Sequence, residues 1–310
     1  MRILVMGGTR FIGVYLTEQL LAQGHEVVLL NRGNHPVPSG VGQIMCDRKD
    51  PNALKAQLAS ESFDAIFDNN GRELSDTQPL VEIFKGKLQH FIYVSSAGVY
   101  QKSDQMPHIE GDPVDPKSRH RGKFETEAYL AEQGIPFTSI RPVYIYGPQN
   151  YNPLESWFFD RVVRDRPIPI PGNGMAITQL GHCADLASAM VAVLGNPKAI
   201  GQIYNVSGER YVTFDGLARA CAVAAGKSDD VQLIHYEPKA FDFGKKKAFP
   251  MRVQHFFAAI DKAKQDLGWQ PQFDLMAGLK DSFQTDYLAN NKSHIEVDFS
   301  TDDQILKGSS

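Results

Sequence analysis

Cysteine is scarce in this chain. The three cysteines among its 310 residues, Cys46, Cys183 and Cys221, are widely separated. Such spacing argues against a disulfide framework, which small secreted proteins use, and against a cysteine-based metal site. We therefore expect a protein of a reducing compartment such as the cytoplasm.

Long apolar runs and a strong excess of one charge are also missing. No apolar stretch approaches the ~20 residues that a membrane-spanning helix needs, so we expect no membrane contact. No basic or apolar leader precedes the first strand, and we expect no targeting peptide. The net charge is −4 and the pI about 6.1, so an RNA site would have to be a local basic patch.

Strand-like and helix-like segments alternate through the first half of the chain. Six short apolar runs, most of which end on polar residues, lie at residues 2–6, 26–30, 43–46, 65–67, 91–94 and 137–140. This alternation predicts an α/β fold with a Rossmann-type doubly wound parallel sheet. In such sheets, ligands bind beyond the carboxyl ends of the strands.

The sequence changes in character after residue 150, where a Pro-rich loop follows at residues 166–171. We predict that residues 1–150 and 176–207 form the Rossmann dinucleotide-binding-type domain. Residues 151–175 and 208–290 would form a smaller C-terminal α/β lobe. Residues 291–310 are polar and would be a loosely attached tail.

A glycine-rich loop joins the first strand to the first helix. Its candidate dinucleotide-binding residues are Gly7, Gly8, Thr9, Arg10, Phe11, Ile12 and Gly13. Gly7 permits a tight turn, Gly13 permits close helix packing, and the helix N-terminus attracts a pyrophosphate. Arg10 stands where a glycine is usual. Its guanidinium could clamp a phosphate, or its bulk could narrow the site.

The end of the second strand carries Asn31 and Arg32 instead of an acidic residue. An acid would accept the ribose hydroxyls of NAD, whereas Asn31 can still bond a ribose and Arg32 with Arg10 favours a 2′-phosphate. If a dinucleotide binds, we expect NADP(H) rather than NAD(H). Asp47, after the third strand, could bind the adenine amino group or serve only as a turn residue.

Five stretches resemble the extended short-chain dehydrogenase/reductase family of sugar-nucleotide epimerases and dehydratases. They are residues 1–13, 93–100 (YVSSAGVY), 141–148 (RPVYIYGP), 182–185 (HCAD) and 267–271 (LGWQP). The resemblance implies a catalytic Ser, Tyr and Lys, with Tyr-x-x-x-Lys on one helix. Ser96 and Lys123 match the Ser and the Lys, but Arg119 stands at the Tyr position.

An arginine at position 119 cannot exchange a proton near neutral pH, because its pKa lies above ~12. Tyr100 and Tyr144 are candidate substitutes, but neither has the i, i+4 relation to Lys123 that would lower a phenol pKa on one helix face. We therefore do not expect ordinary hydride-transfer chemistry.

A narrower resemblance covers residues 1 to about 306. Residues 7–13 (GGTRFIG), 115–120 (DPKSRH), 142–153 (PVYIYGPQNYNP) and 241–250 (FDFGKKKAFP) are similar to the chloroplast stem-loop-binding proteins and their cyanobacterial relatives. This implies binding of RNA stem-loops, contact with ribosomal particles and, as in at least some of these relatives, divalent-metal-dependent endoribonuclease activity, for which Mg²⁺ is the candidate metal. It also implies a homo-oligomer or assembly with a paralogue. We expect a cytoplasmic cyanobacterial member, or a plastid stroma protein if the source is a plant.

Two basic patches support RNA binding. The RNA-binding candidates are Lys117, Arg119, Arg121, Lys245, Lys246, Lys247 and Arg252, and the catalytic candidates are Ser96, Lys123, Arg119 and His120. Basic side chains bind phosphates, and aromatic residues near the second patch, such as Phe241 and Phe256, could stack on unpaired bases. The alternative is a solvated helix face and ordinary core phenylalanines.

No nuclease motif is present, and the metal ligands are unknown. Four acids could hold Mg²⁺ or be ordinary loop residues: Asp64, Asp68, Asp104 and Asp112. Three functions are therefore compared: an RNA-binding protein with endonuclease activity, a non-catalytic ribonucleoprotein scaffold, and an NAD(P)-dependent nucleotide-sugar epimerase, dehydratase or reductase. The third would use Ser96 and Lys123 with a relocated acid.

Overall fold

The computed structural model describes residues 1–308 and contains twelve strands and ten α-helices in that range. The strands are β1 (Arg2–Met6), β2 (Glu26–Asn31), β3 (Gly42–Met45), β4 (Ala65–Asp68), β5 (His90–Val94), β6 (Phe137–Pro142), β7 (Tyr144–Tyr146), β8 (Ile168–Pro171), β9 (Ile177–His182), β10 (Gln202–Val206), β11 (Tyr211–Thr213) and β12 (Leu233–Tyr236). The helices are α1 (Ile12–Ala22), α2 (Pro51–Leu58), α3 (Leu74–Phe84), α4 (Arg121–Glu132), α5 (Glu155–Val162), α6 (Cys183–Val193), α7 (Phe214–Ala224), α8 (Asp261–Leu267), α9 (Leu275–Asp281) and α10 (Ser300–Gly308). None of the helices in residues 1–308 is long and apolar enough to cross a membrane.

The chain divides into two compact units. The first unit comprises Met1–Val143, Cys183–Ser207 and Ala258–Pro271, and the second comprises Tyr144–His182, Gly208–Phe257 and Gln272–Ser310. This division differs from the one expected from the sequence, because the segment with α8 belongs to the first unit. The reason is local packing: α8 contacts β10 and α6, and the Trp269 indole donates to Ser188 Oγ at 2.8 Å.

The first unit is built on a seven-stranded sheet in the order β10-β6-β5-β4-β1-β2-β3. All of its pairings are parallel, which confirms the predicted Rossmann-type fold. Strands such as β1 and β5 are almost continuously apolar and buried, as parallel strands covered by helices on both faces must be. The strand order reverses beside β1, so the carboxyl ends of β1 and β4 border the crevice where such folds bind ligands.

The second unit has a three-stranded sheet (β11-β9-β7) and the pair β12-β8. Its core is rich in aromatic side chains, including Phe158, Phe159, Phe214 and Tyr287, which pack mainly edge to face or tilted. Helix α9 continues into a π-helical segment, Ser282–Leu288.

The C-terminal segment is packed rather than loosely attached, which differs from the expected polar tail. It contains a short turn of helix at Lys292–His294 and then α10. Ile305 is fully buried in a small cluster with Tyr236 and Ala248. Asp302 is also fully buried and accepts a hydrogen bond from Arg161 at 2.7 Å. Because the segment is polar overall, its composition did not indicate that Asp302 and Ile305 face inward from an amphipathic helix.

Adjacent acids on α10 provide a test of this packing. Replacing buried Asp302 with alanine leaves the buried Arg161 guanidinium without its ion-pair partner. We therefore expect the free energy of unfolding to fall by on the order of 3–5 kcal/mol. Asp303 is 52% exposed, and Asp303→Ala should cost less than about 1 kcal/mol. Urea denaturation of both variants measures the difference, and equal losses would contradict the packing described.

Candidate functional site

The glycine-rich loop has the close-packed geometry that its sequence predicts. Gly8 has φ +94°, and a Cβ there would lie 2.5 Å from Leu29 Cδ2. A Cβ on Gly13 would lie 2.6 Å from Gly8 Cα, so only glycine lets α1 approach the loop this closely. Arg10 is exposed and does not need a positive φ. An arginine is therefore tolerated there without backbone strain.

The end of β2 offers hydrogen-bond donors rather than acceptors. Asn31 Oδ1 already accepts from the Gly33 backbone N–H at 2.8 Å and from Gln43 Nε2 at 2.9 Å. Asn31 Nδ2 is buried and has no hydrogen-bond partner among the described residues. Arg32 is exposed and makes no ion pair within residues 1–308. This arrangement suits a phosphate better than a pair of ribose hydroxyls.

Asp47 lies in the turn after β3, where its carboxylate accepts from the Lys49 N–H at 2.9 Å. The next residue, Arg48, was not singled out in the sequence. Its guanidinium is buried and forms a two-pronged ion pair with Asp68, with distances of 2.6 and 2.9 Å. It also donates to the side chain of Asn70 and to the Asp76 carbonyl.

Asp68 is fully buried and fully bonded. Beyond Arg48 it accepts from the Gly71 N–H at 3.0 Å and from Thr77 Oγ1 at 2.6 Å. Burial alone would raise the pKa of Asp68, but the ion pair with Arg48 outweighs burial and holds that pKa below its ordinary value. The carboxylate therefore stays charged and serves the fold.

The other acids considered for Mg²⁺ do not form a metal site. Asp64 accepts from the Arg2 N–H and from Gln89, and Asp112 accepts from His108. Asp104 lies alone on the surface. In residues 1–308 no group of three or more His, Cys, Asp or Glu side chains is arranged to hold a metal ion. These four acids therefore do not fit a resident Mg²⁺.

The segment between β4 and α3, residues 69–73, crosses the carboxyl edge of the sheet. Asn70 Nδ2 lies 3.3 Å from the position of a Cβ on Gly7, so its amide packs on the glycine loop. At the other end, a Cβ on Gly122 would lie 2.6 Å from the Arg72 carbonyl oxygen. Glycine at position 122 therefore lets α4 begin directly against this segment.

Lys123 points into the same segment. Its Nζ donates to the Gly71 carbonyl at 2.5 Å and to the Val94 carbonyl at 2.6 Å, and its side chain is 9% exposed. Burial lowers the pKa of Lys123 to about 8. Because the amine donates hydrogen bonds to both carbonyls, it connects the end of β5 to residues 69–73.

Ser96, His120 and Arg119 come together after β5. A Cβ on Gly98 would lie 2.5 Å from His120 Cδ2, 2.8 Å from His120 Nε2 and 3.0 Å from Ser96 Oγ. The serine hydroxyl and the imidazole therefore share the space left open by Gly98. Arg119 Nε donates to His120 Nε2 at 3.1 Å. We call these three side chains the Ser–His–Arg cluster.

The turn before α4 holds this cluster in place. Ser118 Oγ donates to the Gly98 carbonyl at 2.8 Å and accepts from the His120 N–H at 3.1 Å. Helix α4 begins at Arg121, so Arg119 lies before the helix and not on one helix with Lys123, as the family resemblance had implied. The arginine is instead bonded to the neighbouring His120.

Tyr100 does not replace the missing tyrosine. Tyr100 is 3% exposed and its hydroxyl donates to Asn205 Oδ1 at 2.7 Å. Burial raises the pKa of Tyr100 to about 12, which prevents proton exchange near neutral pH. Tyr144 belongs to the second unit, where its hydroxyl accepts from the Arg252 N–H at 2.8 Å.

Unpartnered buried polar atoms mark the carboxyl edge of the first unit's sheet. They are Asn31 Nδ2 at the end of β2, both amide atoms of Asn69 after β4, and Ser95 Oγ after β5. With the glycine loop after β1, these groups lie on four adjacent strands, β2-β1-β4-β5. Each unpaired buried group costs about 1–3 kcal/mol, so an extended polar ligand that bonds them would be stabilised. The residues therefore fit a dinucleotide.

The basic patches are only partly available for RNA. In the first unit Lys117 and Arg119 are exposed, Arg121 pairs with Glu125 at 3.1 Å, and Lys123 is buried. In the second unit Lys245 and Lys247 are exposed without ion pairs in the described chain.

The other side chains of the second patch have structural contacts. Lys246 binds Asp298 at 2.7 Å, and the Arg252 guanidinium lies 4.5 Å from the centre of the Phe256 ring. Phe249 and Phe256 are core residues, and Phe241 stacks on Phe243, so the aromatic residues near this patch pack inside the unit.

The chain is similar to known proteins of one family. Residues 3–207 match the model of the NAD dependent epimerase/dehydratase family. The chain is 53% identical over 98% of its length to the chloroplast stem-loop binding protein of 41 kDa b of Arabidopsis thaliana, of which it covers 84%.

Two solved epimerases share the fold at low sequence identity. The UDP-glucose 4-epimerase of Thermotoga maritima, solved with UDP-glucose, has a TM-score of 0.78 at 21% identity over 94% of this chain and 100% of its own. The UDP-glucuronic acid 4-epimerase of Bacillus cereus, solved with UDP-glucuronic acid and NAD, has a TM-score of 0.74 at 22% identity over the same shares.

Gly98 provides a test of the cluster's geometry. Gly98→Ala places a methyl group against His120 and Ser96, so we expect a shifted imidazole and a loss of about 1–3 kcal/mol in unfolding free energy. Gly111→Ala is the matched control, because no atom lies within 4 Å of its added Cβ, and it should change stability by less than about 0.5 kcal/mol. NMR of the His120 ring protons reports the shift, and unchanged signals in the Gly98 variant would contradict the arrangement.

Proposed function

The chain belongs to the NAD-dependent epimerase/dehydratase family, in its stem-loop-binding branch, and from this premise we propose that it binds RNA stem-loops. The observation that carries the proposal is Arg119, an exposed cation beside Ser96 and His120 at the position where the family's chemistry needs a phenol. A guanidinium there binds a phosphate and cannot exchange a proton. Ribosomal particles as a source of the stem-loops, and an assembly with further copies or a paralogue, belong to the same proposal.

The surface around Arg119 supports phosphate binding. Lys117 lies two residues away and is exposed, and the exposed Lys245 and Lys247 form a second basic site on the other unit. Local positive charge of this kind gives affinity for the RNA backbone even though the net charge of the chain is −4.

The fold that the epimerase or reductase alternative requires is present, but the tyrosine that would exchange a proton with the substrate is missing. The buried Tyr100 cannot serve, and the Lys123 amine is bonded to two backbone carbonyls. A dinucleotide, when bound, supplies hydride transfer, but Arg119 stands at the phenol position beside Ser96, and the neighbouring His120 Nε2 accepts a hydrogen bond from that arginine.

RNA cleavage is a second candidate, because His120 lies beside Ser96. In the resting arrangement His120 Nε2 accepts a hydrogen bond from Arg119. When Arg119 turns to bind a phosphate, His120 Nε2 can take the proton of the RNA 2′-hydroxyl as its oxygen attacks the adjacent phosphorus. The bond from that phosphorus to the 5′-oxygen then breaks, a water molecule protonates the departing oxygen, and the guanidinium stabilises negative charge on the phosphoryl oxygens. Lys123 would contribute to cleavage only indirectly, because its hydrogen bonds fix the position of the end of β5.

One experiment separates these functions. Purified protein is incubated with a labelled stem-loop RNA in Mg²⁺ or in chelator. Retarded RNA without cleavage supports binding alone, and cleaved RNA supports the second candidate, with the chelator showing whether added metal is needed. Absence of any RNA binding, together with turnover of a nucleotide sugar, would overturn the proposal.

Charge removal tests the site. Lys117→Ala/Arg119→Ala should weaken stem-loop binding by about tenfold or more and lower the slope of log Kd against log salt by about 0.7–0.9 for each lost phosphate contact. The control Lys55→Ala/Lys87→Ala removes two exposed charges from the same unit. Fluorescence anisotropy at several salt concentrations measures both, and equal weakening in the control would show that the site is not local.

Cofactor preference gives a separate prediction. Because Arg32 is exposed without an ion pair in residues 1–308 and the oxygen of Asn31 is occupied, calorimetry should show tighter binding of NADP⁺ than of NAD⁺. Arg32→Ser should narrow this difference by about tenfold, through loss of a charge-assisted bond to the 2′-phosphate. Tighter binding of NAD⁺ by the unaltered protein would refute the preference.

A further inference from the structure

We propose that a dinucleotide and RNA compete for the Ser–His–Arg cluster, so that NADP(H) regulates RNA binding. This inference rests on the proposed function and adds a regulator to it. Both the glycine loop and the cluster belong to the first unit.

The two sites lie on neighbouring strand ends. The glycine loop follows β1 and the cluster follows β5, with only β4 between them in the sheet order. Strands in a sheet lie about 4.8 Å apart, so the ends of β1 and β5 are about 10 Å apart. A ligand that begins at the glycine loop and extends along this edge reaches the cluster.

The groups between the two sites need a partner. Asn69 follows β4 with both amide atoms buried and unbonded, and the Ser95 hydroxyl next to Ser96 is in the same condition. RNA bound at Arg119 does not need to contact the groups that follow β4. A dinucleotide held at the glycine loop, in contrast, passes over these groups when it extends to the cluster. These orphaned atoms therefore indicate that the track from β1 to β5 serves one extended ligand.

The charges make joint occupancy unfavourable. Two buried acids near the track are already neutralised, since Asp68 is paired with Arg48 and Asp76 with Lys49. Exposed cations along this edge include Arg10, Arg32, Arg72 and Arg119. Two polyanions that share these few cations repel each other, and at a partly desolvated edge this repulsion is weakly screened.

Lys123 connects the two sides of this track. It joins the Gly71 carbonyl to the Val94 carbonyl, so residues 69–73 and the end of β5 form one connected edge. A ligand that displaces residues 69–73 therefore also disturbs the seat of Ser96.

The test is a competition titration. Binding of a labelled stem-loop RNA is measured in chelator at increasing NADPH, and binding of NADPH to the RNA-free protein is measured by calorimetry. At NADPH ten times its own Kd, we expect the apparent Kd for RNA to rise about elevenfold and to go on rising linearly. ATP at matched ionic strength controls for general competition by anions.

For each variant, the Kd for RNA in the presence of NADPH is compared with the Kd of the same variant without nucleotide. Arg32→Ser should reduce the NADPH-dependent rise several-fold, while Arg219→Ser, an exposed arginine of α7, should leave the rise unchanged. An unchanged RNA Kd under saturating NADPH, an effect that levels off, an equal effect of ATP, or no NADPH binding would each overturn the inference while leaving RNA binding intact. Failure of the unaltered protein to bind RNA at all would instead overturn the proposed function.

Discussion

The buried ion pair between Arg48 and Asp68 holds together the edge of the sheet on which the candidate site is built. Both side chains are removed from water, a cost that their two mutual hydrogen bonds and those from Gly71 and Thr77 offset. The pair joins the end of β3 to the end of β4. It thereby fixes where residues 69–73 leave the sheet.

The position of Lys123 follows from this constraint. Because residues 69–73 cross the edge, the Gly71 carbonyl faces the start of α4 and receives the lysine amine. A lysine that a reductase would turn toward a ligand is thus directed inward. The polar groups left at the end of β5 are a serine, a histidine and an arginine, a set that favours phosphate over hydride chemistry.

Much of the fold could be predicted from the sequence because its signals are local. Apolar runs such as residues 2–6 and 91–94 are buried parallel strands, and the glycines at positions 8 and 13 permit contacts that a Cβ would block. The replacement of the family's tyrosine by Arg119 could also be predicted from the sequence, because the tyrosine lies four residues before the lysine that Lys123 matches.

Other features depend on residues far apart in the chain and carry no local signal. Arg48 and Asp68 are separated by twenty positions, and nothing in either neighbourhood specifies the partner. The same is true of Asp302, which meets Arg161 from a segment whose polar composition suggested a mobile tail. Helix α4 began two residues later than the family motif implied, because Ser118 bonds position 120 to Gly98 and holds the preceding turn.

Under the proposed function, the change from a redox scaffold to an RNA-binding one requires few substitutions if the phosphate-binding edge is retained. A dinucleotide and an RNA backbone present the same group to a protein, a phosphodiester or pyrophosphate oxygen that accepts from N–H donors and cations. The glycine loop already provides this recognition on β1. Placing Arg119 beyond β5 extends it along the edge by two strands, and the loss of the phenol removes the competing chemistry. Retention of a dinucleotide-sized edge in a protein of the stem-loop-binding branch is then a physical reason for the two ligands to exclude each other.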